Sequence, residues 1–167
     1  MVKLHLGAGK RYFRDYINID LNGEGLDRRM DIRTLDYPDG SVDEIMLIHV
    51  WEHFWADEAD AILKEYFRAL KPGGKLIMEM PDIKKVLHFF TRPDAPVALT
   101  YRALYGGYIN GEEAKCIESL HKWAWTYDTL APLAEKVGFK CAEGVPQYHM
   151  VHRDFRIECT KEVPVAQ

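Results

Sequence analysis

The sequence predicts an α/β fold: a mostly parallel sheet with helices packed on both faces and a last strand running antiparallel. Three observations carry this expectation. Short β-branched runs alternate with helical stretches through the first half of the chain. A strand, helix, strand succession with short turns runs from Ser41 to Met80, which is the unit of a parallel sheet. A glycine-rich turn, Gly7-Ala8-Gly9, follows directly on the first strand. With 167 residues and 47% apolar side chains, the chain suits one domain over 1–167 with one hydrophobic core.

The elements follow in order. Lys3 to Leu6 is a short strand, and Tyr16 to Asp20 is a second one with alternating β-branched and polar residues. The interval between them leaves room for only a stub of helix. A third short strand ends near Asp31. After the turn Tyr37 to Gly40, the segment Ser41 to Val50 contains Ile45-Met46-Leu47-Ile48, the continuous apolar run of a central strand covered on both faces. Asp57 to Leu70 reads as a helix with Ile62, Leu63, Tyr66, Phe67 and Leu70 on one stripe and Asp57 as its N-cap. Lys71-Pro72-Gly73-Gly74 stops it, and Lys75 to Met80 is the next strand.

The segment Ile83 to Trp125 mixes helical patches with Gly106-Gly107, Asn110-Gly111 and many aromatics, and is expected to form a lid over an acceptor. Thr126 to Val137 reads as a helix ended by Gly138. Pro132 inside it means that the helix either starts as late as Thr129 or kinks. Phe139 to Val145 and Asp154 to Thr160 are the final strands, and Val163 to Gln167 should fray.

Composition narrows the function. With 22 Lys and Arg against 26 Asp and Glu, the net charge is −4, which disfavours a nucleic-acid partner. The N-terminal apolar run is too short for a signal peptide, and no window approaches a spanning helix, so no membrane role is expected. Cys116, Cys141 and Cys159 are odd in number and widely spaced, which suggests three ordinary thiols in a cytoplasmic protein.

The candidate site residues lie at strand ends. Gly7-x-Gly9 lets the backbone approach a ligand closely, and the dinucleotide pattern is broken by Tyr12 where a third glycine would stand. Asp20 ends the second strand, where a carboxylate can accept from both hydroxyls of a ribose. Asp31-Ile32 offers an acid for an amino group and an apolar cover for a ring. His49, Glu52 and His53 follow the central strand. Either imidazole could take a proton while Glu52 orients one of them. The spacing His49-x-x-Glu52-His53 also matches metal ligands on a helix, with His121 as a further ligand in a metal-assisted alternative, although no second acid lies at ligand spacing, so a base is favoured and no metal is assigned.

Gly-x-Gly, Asp20, Asp31, the strand ending near Glu52-His53, and Leu70-Lys-Pro-Gly-Gly74 together resemble the class I S-adenosylmethionine-dependent methyltransferases. The resemblance spans roughly residues 3 to 81 and implies a Rossmann-like sheet. His121-Lys-Trp, Thr126, Gly138-Phe139 and Leu104-Tyr105-Gly106-Gly107 resemble a short bacterial subgroup with a truncated first helix. The resemblance implies S-adenosyl-L-methionine as cofactor. Gly7 and Gly9, with Leu6 and Ala8, would line the methionine moiety. Asp20 and Leu21 would hold the ribose, Asp31 and Ile32 the adenine, and His49 would lie near the sulfonium. Arg11 replaces the family's third glycine, which leaves Lys10 and Arg11 uncertain as ligands.

The chemistry implied is an in-line methyl displacement, in which the protein aligns the acceptor and excludes water. The expected acceptor is a small molecule or a glycan, methylated on O or N, with Trp51, Tyr105 and His121 toward it. Two rivals stand beside this expectation. One is a non-catalytic S-adenosylmethionine-binding partner module, and the other is a nicotinamide-dependent oxidoreductase. Oligomeric state is left open.

Overall fold

The computed structural model describes residues 1–94, 97–107 and 119–163; Tyr108, Cys116, part of the lid expected over 83–125 and most of the expected fraying tail lie outside these. The described strands are β1 (Lys3–Leu6), β2 (Ile17–Asp20), β3 (Arg28–Arg29), β4 (Val42–Ile48), β5 (Leu70–Pro81), β6 (Phe139–Gly144) and β7 (Asp154–Lys161). They form one sheet in the order β3-β2-β1-β4-β5-β7-β6. All neighbours from β3 to β5 are parallel, and β7 runs antiparallel to both β5 and β6, as expected for the last strand.

The two faces of the sheet are unequal. Leu4, Leu6, Ile19, Ile45, Leu47, Leu76, Met78, Phe155 and Ile157 point to one side. There they pack under α1 (Ala59–Ala69) and α4 (Tyr127–Val137) in the main core. The alternate positions point to the other side, where Met46, Ile48 and Ile77 meet Phe13, Tyr16 and Tyr148. That face also buries polar pairs: His5 with Asn18, and Glu79 with Arg156. The loop between β1 and β2 is a run of turns rather than the expected stub of helix.

Several element boundaries differ from expectation for local reasons. α1 starts after Glu58, not Asp57, because the Glu58 carboxylate accepts the Trp55 N–H at 2.9 Å and closes the preceding turn. Lys71 to Gly74 does not separate helix from strand. β5 begins at Leu70, and the ladder to β4 is irregular between the Val42–Leu70 and Glu44–Lys75 pairs, where Gly73 takes φ 78°. α4 starts at Tyr127 despite Pro132, because Thr126 and Thr129 form a reciprocal capping box. Gly138, at φ 117°, ends it in the left-handed conformation.

The thiols need a correction. Cys141 and Cys159 face each other in the β6–β7 register, with Cα atoms 4.1 Å apart, and are joined as a disulfide. Sequence spacing hides this because the pairing is set by sheet register. Two helices, α2 (Ile83–Phe90) and α3 (Val97–Tyr105), follow β5, with Asp82 capping α2 by accepting the Lys84 and Lys85 N–H groups. No helix among the described residues is long and apolar enough to cross a membrane. Because β7 is antiparallel, Asp154 at its start pairs with Pro81 at the end of β5. The carboxyl edge of the parallel strands therefore gathers residues from both ends of the chain.

Candidate active site

At the left of this edge, the end of β1 turns sharply. Gly7 takes φ 70°, and a Cβ there would collide with the Val50 side chain. The Gly7 and Ala8 N–H groups both donate to the Ile19 carbonyl, at 2.8 and 3.1 Å, which ties the turn to β2. Gly9 then donates its N–H to Asp20 Oδ2 at 2.7 Å, and Asn22 donates to Oδ1 at 3.3 Å. A carboxylate offers roughly four acceptor positions, so about two remain on Asp20. Lys10, Asn22, Gly23 and Glu24 complete this wall of a groove that begins at Gly9.

Asp31 has a different environment from the one expected. Its carboxylate is held by Arg33, with Nη2 at 2.8 Å and Nε at 3.0 and 3.1 Å, and this pairing lowers its pKa. Ile32 is buried in the core beside it, Leu6 and Ala8 are buried, and Leu21 is exposed.

The groove continues into a larger cleft of about 850 Å³ that shares Gly9, Lys10 and Asn22 and reaches His49, His53, Arg102, His121, His149 and Arg153. Here β4 is followed by His49, whose φ of 56° makes it the one non-glycine with positive φ among the described residues. Such a conformation is strained and persists only where its surroundings enforce it. Its N–H continues the ladder to the Glu79 carbonyl, while the ring is held between two carboxylates. Nδ1 lies 3.1 Å from Glu52 Oε1, and Nε2 lies 3.1 Å from Asp154 Oδ2.

Burial alone would lower the His49 pKa, but Asp154 and Glu52 outweigh it and raise it to about 9. His49 is thus an imidazolium at neutral pH with both N–H groups engaged, and it has no lone pair with which to act as a base. Burial likewise opposes the ionised form of Asp154, yet His49 and Arg153 bring its pKa down to about 2.

Glu52 and His53 sit in a 3₁₀ turn (Trp51–His53) just past β4. The returning segment before α4 docks on that turn: the Lys122 and Trp123 N–H groups donate to the Glu52 carbonyl at 2.8 and 3.3 Å. This brings His121 beside His53, with ring centroids 4.9 Å apart. His53 Nδ1 lies 3.0 Å from the Leu120 carbonyl, and His121 Nδ1 lies 2.9 Å from the Ala103 carbonyl. A carbonyl only accepts, so each Nδ1 carries a proton, and the neutral tautomer this selects has its lone pair on Nε2. Burial lowers the His121 pKa and keeps that ring neutral at pH 7. Glu52 is almost completely buried, with one oxygen toward His49 and the other, Oε2, without a hydrogen-bond partner among the described residues.

The structure thus gathers His49, Glu52, His53 and His121 at one edge, next to the Gly7–Gly9 turn and Asp20. It does not bring Trp51 to the cleft: that side chain is fully buried against Phe54, Tyr66 and Trp125. Tyr105 is exposed, stacked on Tyr101 and away from the cleft lining. His149, Arg153 and Asp154, which sequence reasoning did not place in the site, stand against His49, with the His49 and His149 rings 4.2 Å apart. The signal for them was the antiparallel last strand, which starts at the same edge where β4 ends.

Residues 5–78 match the family model described as a methyltransferase domain. No curated protein sequence matches the chain. Among solved structures, a S-adenosylmethionine-dependent methyltransferase from Archaeoglobus fulgidus superposes with a TM-score of 0.65 at 15% identity, covering 95% of this chain and 85% of that one. One from Methanosarcina mazei gives 0.60 at 18% identity, over 96% and 92%. A Haemonchus contortus phosphoethanolamine N-methyltransferase, solved with S-adenosylhomocysteine, gives 0.60 at 12% identity, over 98% and 49%. The family match over residues 5–78 takes in the glycine turn and the central strand, and the superpositions show that the chain shares the fold of these methyltransferases.

Proposed function

We propose that the protein transfers the methyl group of S-adenosylmethionine to a hydroxyl or amine of a small-molecule or sugar acceptor held in the cleft. The observation that supports this is the continuity of the groove: the wall at Gly9 and Lys10 opens without a break onto His49, His53 and His121. A cofactor lying along the glycine turn would present its methyl group toward those side chains.

In this reading the backbone at Gly7 and Gly9 lies against the methionine moiety. The remaining acceptor positions of Asp20 take the ribose hydroxyls, and Ile32 with Asp31 flank the adenine, Arg33 sharing the Asp31 carboxylate. Lys10, which makes no ion pair among the described residues, faces the groove and suits the cofactor's carboxylate. The acceptor's proton is handled by Glu52, His53 and His121. The methyl carbon bonds to the acceptor atom as its bond to sulfur breaks, and S-adenosylhomocysteine leaves neutral.

The test is transfer of radiolabelled methyl from the cofactor to a panel of sugars, phenols and small amines, with cofactor hydrolysis as background. Labelled product from at least one acceptor class is expected. Tight cofactor binding without product on any acceptor would favour the non-catalytic partner module.

A further inference from the structure

We propose that Glu52, His53 and His121 form a binding site for a divalent transition-metal ion on the floor of the acceptor cleft. Each offers one donor atom, and the three donors lie within 4.8 Å of one another. The outer contacts of the rings fix which nitrogens can donate a lone pair. Both imidazoles give Nδ1–H to a backbone carbonyl, Leu120 for His53 and Ala103 for His121, which leaves Nε2 as the lone-pair nitrogen on each. Fixing a histidine's tautomer through its outer nitrogen is how metal-binding imidazoles are usually oriented.

The second observation is Glu52 itself. Its Oε1 lies 3.1 Å from His49 Nδ1 and 3.7 Å from His121 Nε2, but Oε2 is buried and has no hydrogen-bond partner among the described residues. A buried carboxylate oxygen left without a partner is costly, and an ion beside it removes that cost. Glu52 and His121 also line a small cavity of about 20 Å³, room for about one water-sized ligand.

The neighbouring trio, His49, His149 and Asp154, also has ligand spacing, yet it is already supplied with a cation. The Arg153 guanidinium contacts Asp154 at 2.6 and 3.0 Å and His149 at 2.9 Å, so an ion there would meet a fixed positive charge. Among these groups, only Glu52, His53 and His121 combine two imidazole nitrogens of fixed tautomer with an acid that has an unpartnered oxygen.

Two imidazoles and one carboxylate suit Zn²⁺, Fe²⁺, Mn²⁺ or Co²⁺ and not Ca²⁺ or Mg²⁺, which prefer oxygen donors. The bonds of roughly 2.0–2.2 Å would draw the three donors together and leave coordination positions open toward the cleft. With the ion bound, the Nε2 lone pairs of His53 and His121 are taken up, and a hydroxyl acceptor on the ion would lose its proton to solvent instead of to those imidazoles before the methyl carbon arrives. That consequence rests on the methyl-transfer reading, whereas ion binding itself does not.

The experiment titrates untagged, chelator-stripped protein, without cofactor or acceptor. Zn²⁺ binding is read by calorimetry, and Co²⁺ by its visible absorption. One ion per chain is expected, with affinity reduced by about 100-fold or more in His121→Ala and in His53→Ala, and unchanged in His149→Ala. Thermal unfolding of each variant confirms that it is folded, and Glu52→Gln is a third variant if one of the others is not. Absence of binding to the wild type, or binding that survives His121→Ala and His53→Ala but is lost in His149→Ala, would overturn the proposal. S-adenosylhomocysteine titrated into the stripped protein separates the two ideas. Cofactor binding without ion binding sinks only the metal site, and ion binding without cofactor binding sinks only the methyl-transfer reading.

Discussion

At the cofactor end of the cleft, the contacts are local: Gly9 reaches Asp20 across 11 positions, and Arg33 reaches Asp31 across two. At the acceptor end they are not. His49 meets Asp154 across 105 positions, and His53 meets the Leu120 carbonyl across 67. The first end is shaped by backbone turns that only glycine adopts without strain, and its acids face solvent or one arginine. The second is held by buried charges that balance one another, with the strained His49 at their centre. A turn can be altered with a local loss of binding. A set of interlocked charges should respond as a unit.

Four changes test that contrast, from the largest expected effect to the smallest. His53→Ala or His121→Ala should lower turnover by roughly 10²–10⁴-fold and leave the dissociation constant for S-adenosylhomocysteine nearly unchanged. Full activity in both variants would remove the acceptor end from the chemistry. Gly7→Ala should destabilise the fold by about 1–3 kcal/mol, since its new Cβ strikes Val50 at a positive φ, and should weaken cofactor binding with it. Wild-type stability in a denaturant titration would mean that the turn relaxes.

The third concerns pH. Burial, with His49 and Arg153 beside it, lowers the His149 pKa to about 4 from its ordinary 6.5, against the opposing pull of Asp154. Its neutral form therefore adds stability that is whole above pH 6.5 and is lost as pH falls through 4. The Asp154 carboxylate, at about 2 against its usual 3.8, adds stability that is whole above 3.8 and is lost as pH falls through 2. Chemical denaturation across this range should show stability declining in two stages, with the upper one absent in His149→Gln. A single carboxylate stage in the wild type would contradict the coupling. The smallest effect is Arg33→Ala, which breaks a half-exposed pair and should change stability by no more than about 1 kcal/mol. Cofactor affinity should hold or improve as Asp31 is released, and a tenfold loss would place Arg33 itself on the ligand.

The same contrast explains what could be read from the sequence. Gly7 to Asp20 and the run Ile45 to Ile48 announce themselves, because local turns and apolar periodicity are written in adjacent residues. The sheet order and the match of residues 5–78 to a methyltransferase domain agree with the resemblance that these motifs carry. The roles within the charged end are not written in adjacent residues. His49 looked like a base until Asp154 was found against it, and Asp154 arrives only because β7 reverses direction. Trp51 looked like an acceptor platform because an aromatic after a central strand faces either core or cleft, and here the 3₁₀ turn rotates it inward. The Cys141–Cys159 pairing depends on a register that spacing does not encode.

The most direct measurement is calorimetric titration of S-adenosylhomocysteine into the wild type and Asp20→Ala, with a nicotinamide dinucleotide as control. The wild type should bind S-adenosylhomocysteine and bind the dinucleotide far more weakly. Asp20→Ala, still folded, should lose one to several powers of ten in affinity, as expected for about two charge-assisted hydrogen bonds of roughly 1.5–3 kcal/mol each. An unchanged dissociation constant in Asp20→Ala, or tighter binding of the dinucleotide by the wild type, would contradict the cofactor site drawn at Gly7, Gly9 and Asp20.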